Sequence, residues 1–525
     1  MAMTPWAPLV LLTFPAAGCR TPSTADDRTG DSPAGIVASQ TRSSRANSPQ
    51  AGGSQAASSP VITIDPAERH QRMDGFGTCL VSWDAEMAAF YRRPGVAELY
   101  ARYLGFNILR TSLYGDGTIG PVREPQQIRA EDPAFARTDP RTPIFLDFGR
   151  RLRQLQPKLR VIGSCWSPPA WMKVNGKITD AAAGAIDGTS YQVDRNGAKS
   201  DAVNRVKPDH FDHVAVWLAE FARYYERAGL PLEAISASNE PQFTQSFESC
   251  LWTAADLADV TARTHRELER RGLGRIRMFG PETMTGFNWE NGPNVQYTRA
   301  MRANPSAWQA LGMWATHGYA DGVKGDISSN SSAQFWRLVA GDKRPYWVTE
   351  GGTGEHAWPD PVGEKGVATA LHHAFVAGNA SAFVPWQFAE NSRTEHNLMP
   401  LEGPSKKTLA VRHFSRFIPA GSVRIGATPA YGDLLVSAYL APDDLTVVLV
   451  NPGKQPRTAR LRLKNLPISA PDVWTTDATR SFAKSAIKSA GRDMVVSVPG
   501  PGIVTVTTLR LPAEAHRVPT GFRIE

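Results

Sequence analysis

Two glutamates stand at the ends of short apolar runs, where a catalytic carboxylate is most easily presented. Glu240 follows the run 234–239 in SASNEPQ, and Glu350 ends the run 345–350 in YWVTEGG. Two carboxylates facing one bond suit retaining glycoside hydrolysis. One protonates the departing oxygen and the other attacks the anomeric carbon. Their surroundings must differ, so that one keeps its proton near neutral pH while the other stays ionised. Asn239 offers an amide beside Glu240, and Pro241 fixes the backbone just after it. Gly351 and Gly352 leave Glu350 open to a substrate. Glu282, in FGPETM, lacks such neighbours and reads as a structural carboxylate.

The elements that must position this pair are legible as eight apolar runs: 73–80, 106–113, 159–166, 234–239, 277–282, 313–317, 345–350 and 381–387. Helical patterns separate them. In 211–228, Phe211, Val214, Trp217, Leu218, Phe221 and Tyr225 recur at helical spacing and make one apolar face. Strands alternating with helices predict βα units around a parallel sheet, and eight of them predict a (β/α)8 TIM barrel. In that fold the chemistry lies where strands end, which is where Glu240 and Glu350 fall.

Beyond about residue 410 the pattern changes to short strands with turn signals: 434–440, 445–450, 459–464, 494–498 and 503–509. This predicts an attached all-β sandwich over 411–525. The barrel is assigned to 61–410, with the strand 61–65 a candidate member of the sandwich. Net charge is 58 − 50 = +8. From Leu409 onward there are 15 basic and 8 acidic residues, so +7 of the +8 belongs to the sandwich and the barrel is near neutral. No concentrated basic face points to nucleic acid.

Residues 5–18 (PWAPLVLLTFPAAG) are an apolar run of signal-peptide length ending before Cys19. With Ala16, Ala17 and Gly18 this resembles a bacterial lipoprotein signal over 1–19, in which Cys19 is lipidated; an ordinary secretory signal is the alternative. Either way the chain is expected to be exported, to the cell envelope or beyond it. Residues 20–60, rich in Ser, Ala, Gly and Pro, read as a disordered tether. Any membrane contact is expected only through the lipid. Of Cys79, Cys165 and Cys250, at most two can pair, and the sequence does not choose among them.

Other signals fall away. Gly115, Gly117 and Gly120 fit a dinucleotide-binding pattern, but Pro121 follows where a helix should begin. There is no P-loop, HExxH or nucleophile elbow, and His372-His373 has no companion ligands in its helix. Glu248 reads as structural, and no metal or cofactor is expected.

Seven segments carry a resemblance: DGFGTCLVSW (74–83), SCWSPPAWMKVNG (164–176), SNEPQFTQSFESCLWT (238–253), THGYAD (316–321), WVTEGG (347–352), HFSRFIPAG (413–421) and IVTVTTL (503–509). Together they resemble glycoside hydrolase family 30 across about 60–510. The resemblance implies a retaining β-glycosidase with Glu240 as acid/base and Glu350 as nucleophile, on a barrel whose side sandwich is built from both chain ends. It places Arg110 near the nucleophile, Trp166 and Trp386 as aromatic walls, and Tyr319 as a hydroxyl partner of the nucleophile. His317 is matched as a substrate contact or a structural histidine, and Asp116 as a sugar ligand. Trp171 and Trp83 are core or wall. Family members cleave glucosylceramide, β-1,6-glucan, β-1,6-galactan, xylan and simple β-glycosides. GFGTCLVSW is similar to the β-1,6-galactanase branch and FESCLWT to xylan-active branches, so the expected substrate is a β-linked polysaccharide or oligosaccharide. A monomer is expected. The competing reading is a non-catalytic carbohydrate-binding surface lipoprotein on the same fold.

Overall fold

The computed structural model describes residues 59–525 except 83, 116–118, 133–134, 136–138, 180–192, 195–196, 199–203, 245–246, 320–327, 353, 430, 466–470, 491–492 and 525. The signal-like segment with Cys19, nearly all of the tether, Trp83 and Asp116 lie outside the described residues.

Eight parallel strands close into a barrel: β1 Gly75–Cys79, β2 Ile108–Tyr114, β3 Arg160–Ser167, β4 Ala234–Ser236, β5 Arg277–Met284, β6 Leu311–His317, β7 Tyr346–Glu350 and β8 Ala382–Phe383. Each pairs with the next in sequence, and β8 returns to β1 with Ala382 opposite Gly75. Two strands are shorter than their apolar runs. β4 stops at Ser236, whose hydroxyl donates to the Ser238 carbonyl (3.0 Å) and turns the chain out of the ladder. β8 stops at Phe383, just before Pro385, which has no N–H to give.

Ile108, Ile162, Phe279, Met313, Trp347 and Val384 are among the side chains that fill the barrel interior. The end opposite the chemistry is closed by Asp74. It accepts from Trp347 Nε1 (2.9 Å) and pairs with Arg160 (2.8 Å). Gly75 beside it has φ +134°, and a Cβ there would stand 1.9 Å from Asn107 Oδ1, so only glycine fits. Outside the barrel, helix Phe211–Arg227 buries Val214, Trp217, Leu218, Phe221 and Tyr225, the face expected from its spacing. Each such burial contributes about 1.5–3 kcal/mol. The next helix, Ala254–Arg270, starts where Thr253 accepts from the Asp256 N–H.

A ten-stranded mixed sheet forms the side domain. Its members include Val423–Thr428, Leu435–Leu440, Leu445–Asn451, Arg457–Leu463, Asp493–Val498 and Gly502–Thr507. The strand Val61–Arg72 lies between Val423–Thr428 and Arg457–Leu463. Ile62, Ile64, Val447, Leu461, Val496 and Val504 share one core. Helix Lys406–Ser415 joins the two parts: His413 bonds Thr505 (2.8 Å) and Thr476 (2.9 Å), while Arg412 donates to the Tyr103 (2.9 Å) and Ala515 (2.7 Å) carbonyls. Much of the side domain's positive charge is spent in ion pairs, such as Arg462–Asp493 (2.9 Å) and Lys484–Asp472 (2.9 Å). Among the described residues no helix is long and apolar enough to cross a membrane.

Candidate active site

Arg110 is the hub. It lies inside β2, fully buried, and its guanidinium reaches three other strand ends. Nη1 donates to Glu350 Oε2 (2.7 Å), and Nη2 donates to Asn239 Oδ1 (2.7 Å) and Glu282 Oε1 (3.0 Å). Nε donates to Ser164 Oγ on β3 (3.0 Å). A buried guanidinium needs this many acceptors to offset its lost hydration.

His317 ends β6 and stands among three carboxylates. Its Nδ1 is 2.8 Å from Glu240 Oε1 and 3.6 Å from Glu350 Oε2, and its Nε2 is 3.5 Å from Glu282 Oε1. Burial alone would strip its proton, but Glu350, Glu240 and Glu282 outweigh burial and raise it to about 9. Glu240 is shifted in the sense an acid requires: burial pushes it up to about 7, against the His317 hydrogen bond. Arg110 and His317 thus bring positive charge to the centre of the carboxylate cluster. The Tyr319 hydroxyl hydrogen-bonds Glu350 and is held protonated by burial.

One oxygen of Glu240, one of Glu350 and a ring nitrogen of His317 all lie within 4.8 Å of one another. Among the described residues this is the one group spaced to hold a metal ion. Arg110 already supplies positive charge there, and a divalent ion would be repelled by it. Among glycosidases, retaining carboxylate pairs stand about 5–5.5 Å apart and inverting pairs about 6.5–9.5 Å.

Trp166, at the end of β3, lies under the Arg110 guanidinium (4.6 Å to the ring centre) and 5.7 Å from the half-buried Trp386. The two rings tilt by 37° and form an aromatic corner beside the carboxylates. The site thus brings together Glu240, Glu350, Asn239, Arg110, His317, Tyr319 and Trp166 with Trp386. Trp171 stands apart, its Nε1 on the Ile119 carbonyl (2.9 Å) and its ring edge-on to His210 and His213. Glu248 pairs with Arg141 (3.0 Å), a structural role. Cys79, Cys165 and Cys250 are buried free thiols.

Glu282, a structural carboxylate by its sequence neighbours, lies at the centre of the cluster. It is fully buried and also accepts from Ser164 Oγ (3.1 Å) and Thr349 Oγ1 (2.9 Å). Burial would raise it, yet Arg110 and His317 hold it down, to about 2. Both Glu240 (φ 47°) and Glu282 (φ 59°) adopt left-handed backbone, a cost tolerated where placement matters more than comfort. Neither the positive φ nor the convergence of partners on Glu282 is marked by its neighbours in the sequence.

Glu282→Gln tests this anchoring. A group whose folded value falls from 4.5 to about 2 stabilises the fold above 4.5, and that stability drains away as pH falls toward 2. The variant is expected to lose about 3 kcal/mol at pH 7 in urea unfolding. The deficit should shrink as pH is lowered through the acidic range; a pH-independent deficit would mean lost packing instead.

No protein-family model matches the chain. It is 25% identical over 289 residues to glucuronoxylanase XynC of Bacillus subtilis, covering 54% of this chain and 62% of that enzyme. The glycoside hydrolase family 30 subfamily 8 xylanase Xyn30A of Clostridium acetobutylicum superposes with a TM-score of 0.64 at 23% identity, covering 85% of this chain and 98% of that one. The chain shares the fold of glycoside hydrolase family 30 xylanases. It is also 25% identical over 214 residues to an endo-1,6-β-D-glucanase of Neurospora crassa, covering 38% of this chain and 39% of that one. Both curated relatives are matched over less than two thirds of their length.

Proposed function

We propose that this family 30-like chain is a retaining hydrolase of β-glycosidic bonds. The carrying observation is the close approach of Glu240 and Glu350, an oxygen of each lying within 4.8 Å of the other and of a His317 ring nitrogen. Glu350 faces the Arg110 cation and is the nucleophile. Glu240, raised by burial to about 7, is the acid. The His317 ring nitrogen Nδ1, 2.8 Å from Glu240 Oε1, orients the acid's carboxyl group in the site.

In the first step Glu240 protonates the glycosidic oxygen as Glu350 attacks the anomeric carbon. The carbon–oxygen bond breaks and an ester to Glu350 forms. In the second step Glu240, now a carboxylate, takes a proton from water as that water displaces Glu350. The sugar leaves with its β configuration restored. Asn239, held by Arg110 (2.7 Å), and the Trp166–Trp386 corner contact the sugar beside the bond.

The substrate is a β-linked polysaccharide or oligosaccharide, with xylan and β-1,6-glucan first in order because relatives are named for them. The N-terminal signal supports export, with Cys19 as the lipid site. A panel of β-glycans, followed by proton NMR from the first minutes, tests the assignment. Release of the β-anomer before mutarotation is expected. Early α-anomer would mean inversion, and binding without any cleavage would support the non-catalytic reading.

A further inference from the structure

Trp289 has no role in the reaction described above, yet it is placed as a ligand-binding side chain would be. It is 46% exposed, on the segment that follows β5. Of the four large apolar side chains exposed among the described residues, Val174, Phe247 and Trp289 follow β3, β4 and β5 respectively. These segments belong to the catalytic end of the barrel.

The ring is connected to the site by continuous packing. Trp289 stands edge-on to Phe287, with centres 5.2 Å apart. Phe287 is buried in a small cluster with Met284 and Tyr319. Tyr319 bonds Glu350 and lies 6.3 Å from the His317 ring. A packed path through Tyr319, Met284, Phe287 and Trp289 therefore runs from the reacting carboxylate to solvent.

The segment is also braced. Gly292 N–H donates to the Trp289 carbonyl (2.8 Å) and Asn294 N–H to the Phe287 carbonyl (3.1 Å). Asn288 donates to the Thr285 (2.6 Å) and Ser331 (3.1 Å) carbonyls. Gly292 lets the indole lie against the backbone, for a Cβ there would come within 2.9 Å of the ring. A rigid, half-exposed indole gives wide contact at little entropic cost. The apolar C–H face of a pyranose is its natural complement.

We propose that Trp289, backed by Phe287, is a stacking platform for a sugar unit of the glycan chain outside the pair being cleaved. The proposal rests on the hydrolase reading and makes the substrate a chain longer than a disaccharide.

Trp289→Ala is compared with the unmodified protein on a cleaved polysaccharide and on the matching p-nitrophenyl β-glycoside. The ratio of the two kcat/KM values, polymer over monoglycoside, is expected to fall about 10-fold, and Trp289→Phe to restore most of it. An unchanged ratio would overturn the platform, whether both activities fall together or neither does. Retention of each protein by the soluble polysaccharides of the panel in affinity gel electrophoresis gives a separate reading, with loss expected in Trp289→Ala. If the unmodified protein cleaves no β-glycan, the hydrolase reading fails; equal retention of the two proteins, or retention of neither, then overturns the platform as well.

Discussion

Glu350→Gln is expected to lower kcat by about 10⁴-fold or more on every β-glycoside, roughly 5 kcal/mol of lost transition-state stabilisation. The amide keeps the shape of the side chain and can still accept from Arg110. It cannot form the ester to the anomeric carbon, so the first step has no nucleophile. Both kcat and kcat/KM should fall, since the lost interaction is made in the transition state. Arg110 is left facing one fewer anion, with Glu282 still 3.0 Å away to hold it. The variant should therefore fold, and a cooperative thermal melt close to that of the parent separates lost chemistry from lost structure. Residual turnover within 100-fold of the parent would remove Glu350 from the nucleophile's role.

Glu240→Gln should cost about 10²–10⁴-fold on polysaccharide, whose leaving group needs a proton. The pH dependence identifies the group. Glu240 is raised to about 7 and works in its protonated form, so kcat/KM of the parent should fall as pH rises through about 7. In the variant that limb should disappear. An aryl glycoside with a good leaving group needs little protonation and should still form the ester to Glu350. Its breakdown then lacks a base, and added azide, which needs none, should speed turnover and yield the β-glycosyl azide. An alkaline limb that persists in Glu240→Gln would assign it to another group, with His317 (about 9) the first to examine.

The fold was legible because each barrel strand is a short apolar run between turn signals, and each outer helix repeats its apolar face. The proposed acid and nucleophile stand out in the sequence because their neighbours, Asn239 with Pro241 and Gly351 with Gly352, are unusual at strand ends. Glu282 does not. Its partners Arg110, Ser164, His317 and Thr349 come from β2, β3, β6 and β7, and only closure of the barrel brings them together. Nothing adjacent in the chain marks it. The side domain was read in part: Asp472–Thr476 and Ala483–Ala486 are strands by virtue of pairing with Gly502–Thr507 and with each other, not by an apolar pattern of their own. The strand-end turn after Ser236 likewise depends on a local hydroxyl contact that overrides the apolar run continuing to Ala237.

The central claim is a covalent intermediate on Glu350. Incubation with an activated 2-deoxy-2-fluoro β-glycoside of the sugar that the panel identifies tests it. The fluorine slows both steps, and the good leaving group restores the first, so the ester accumulates. Peptide mass spectrometry is expected to find one glycosyl group, on Glu350. An adduct on Glu282 or Glu240, or steady hydrolysis of the parent substrate with no adduct on any carboxylate, would contradict the account.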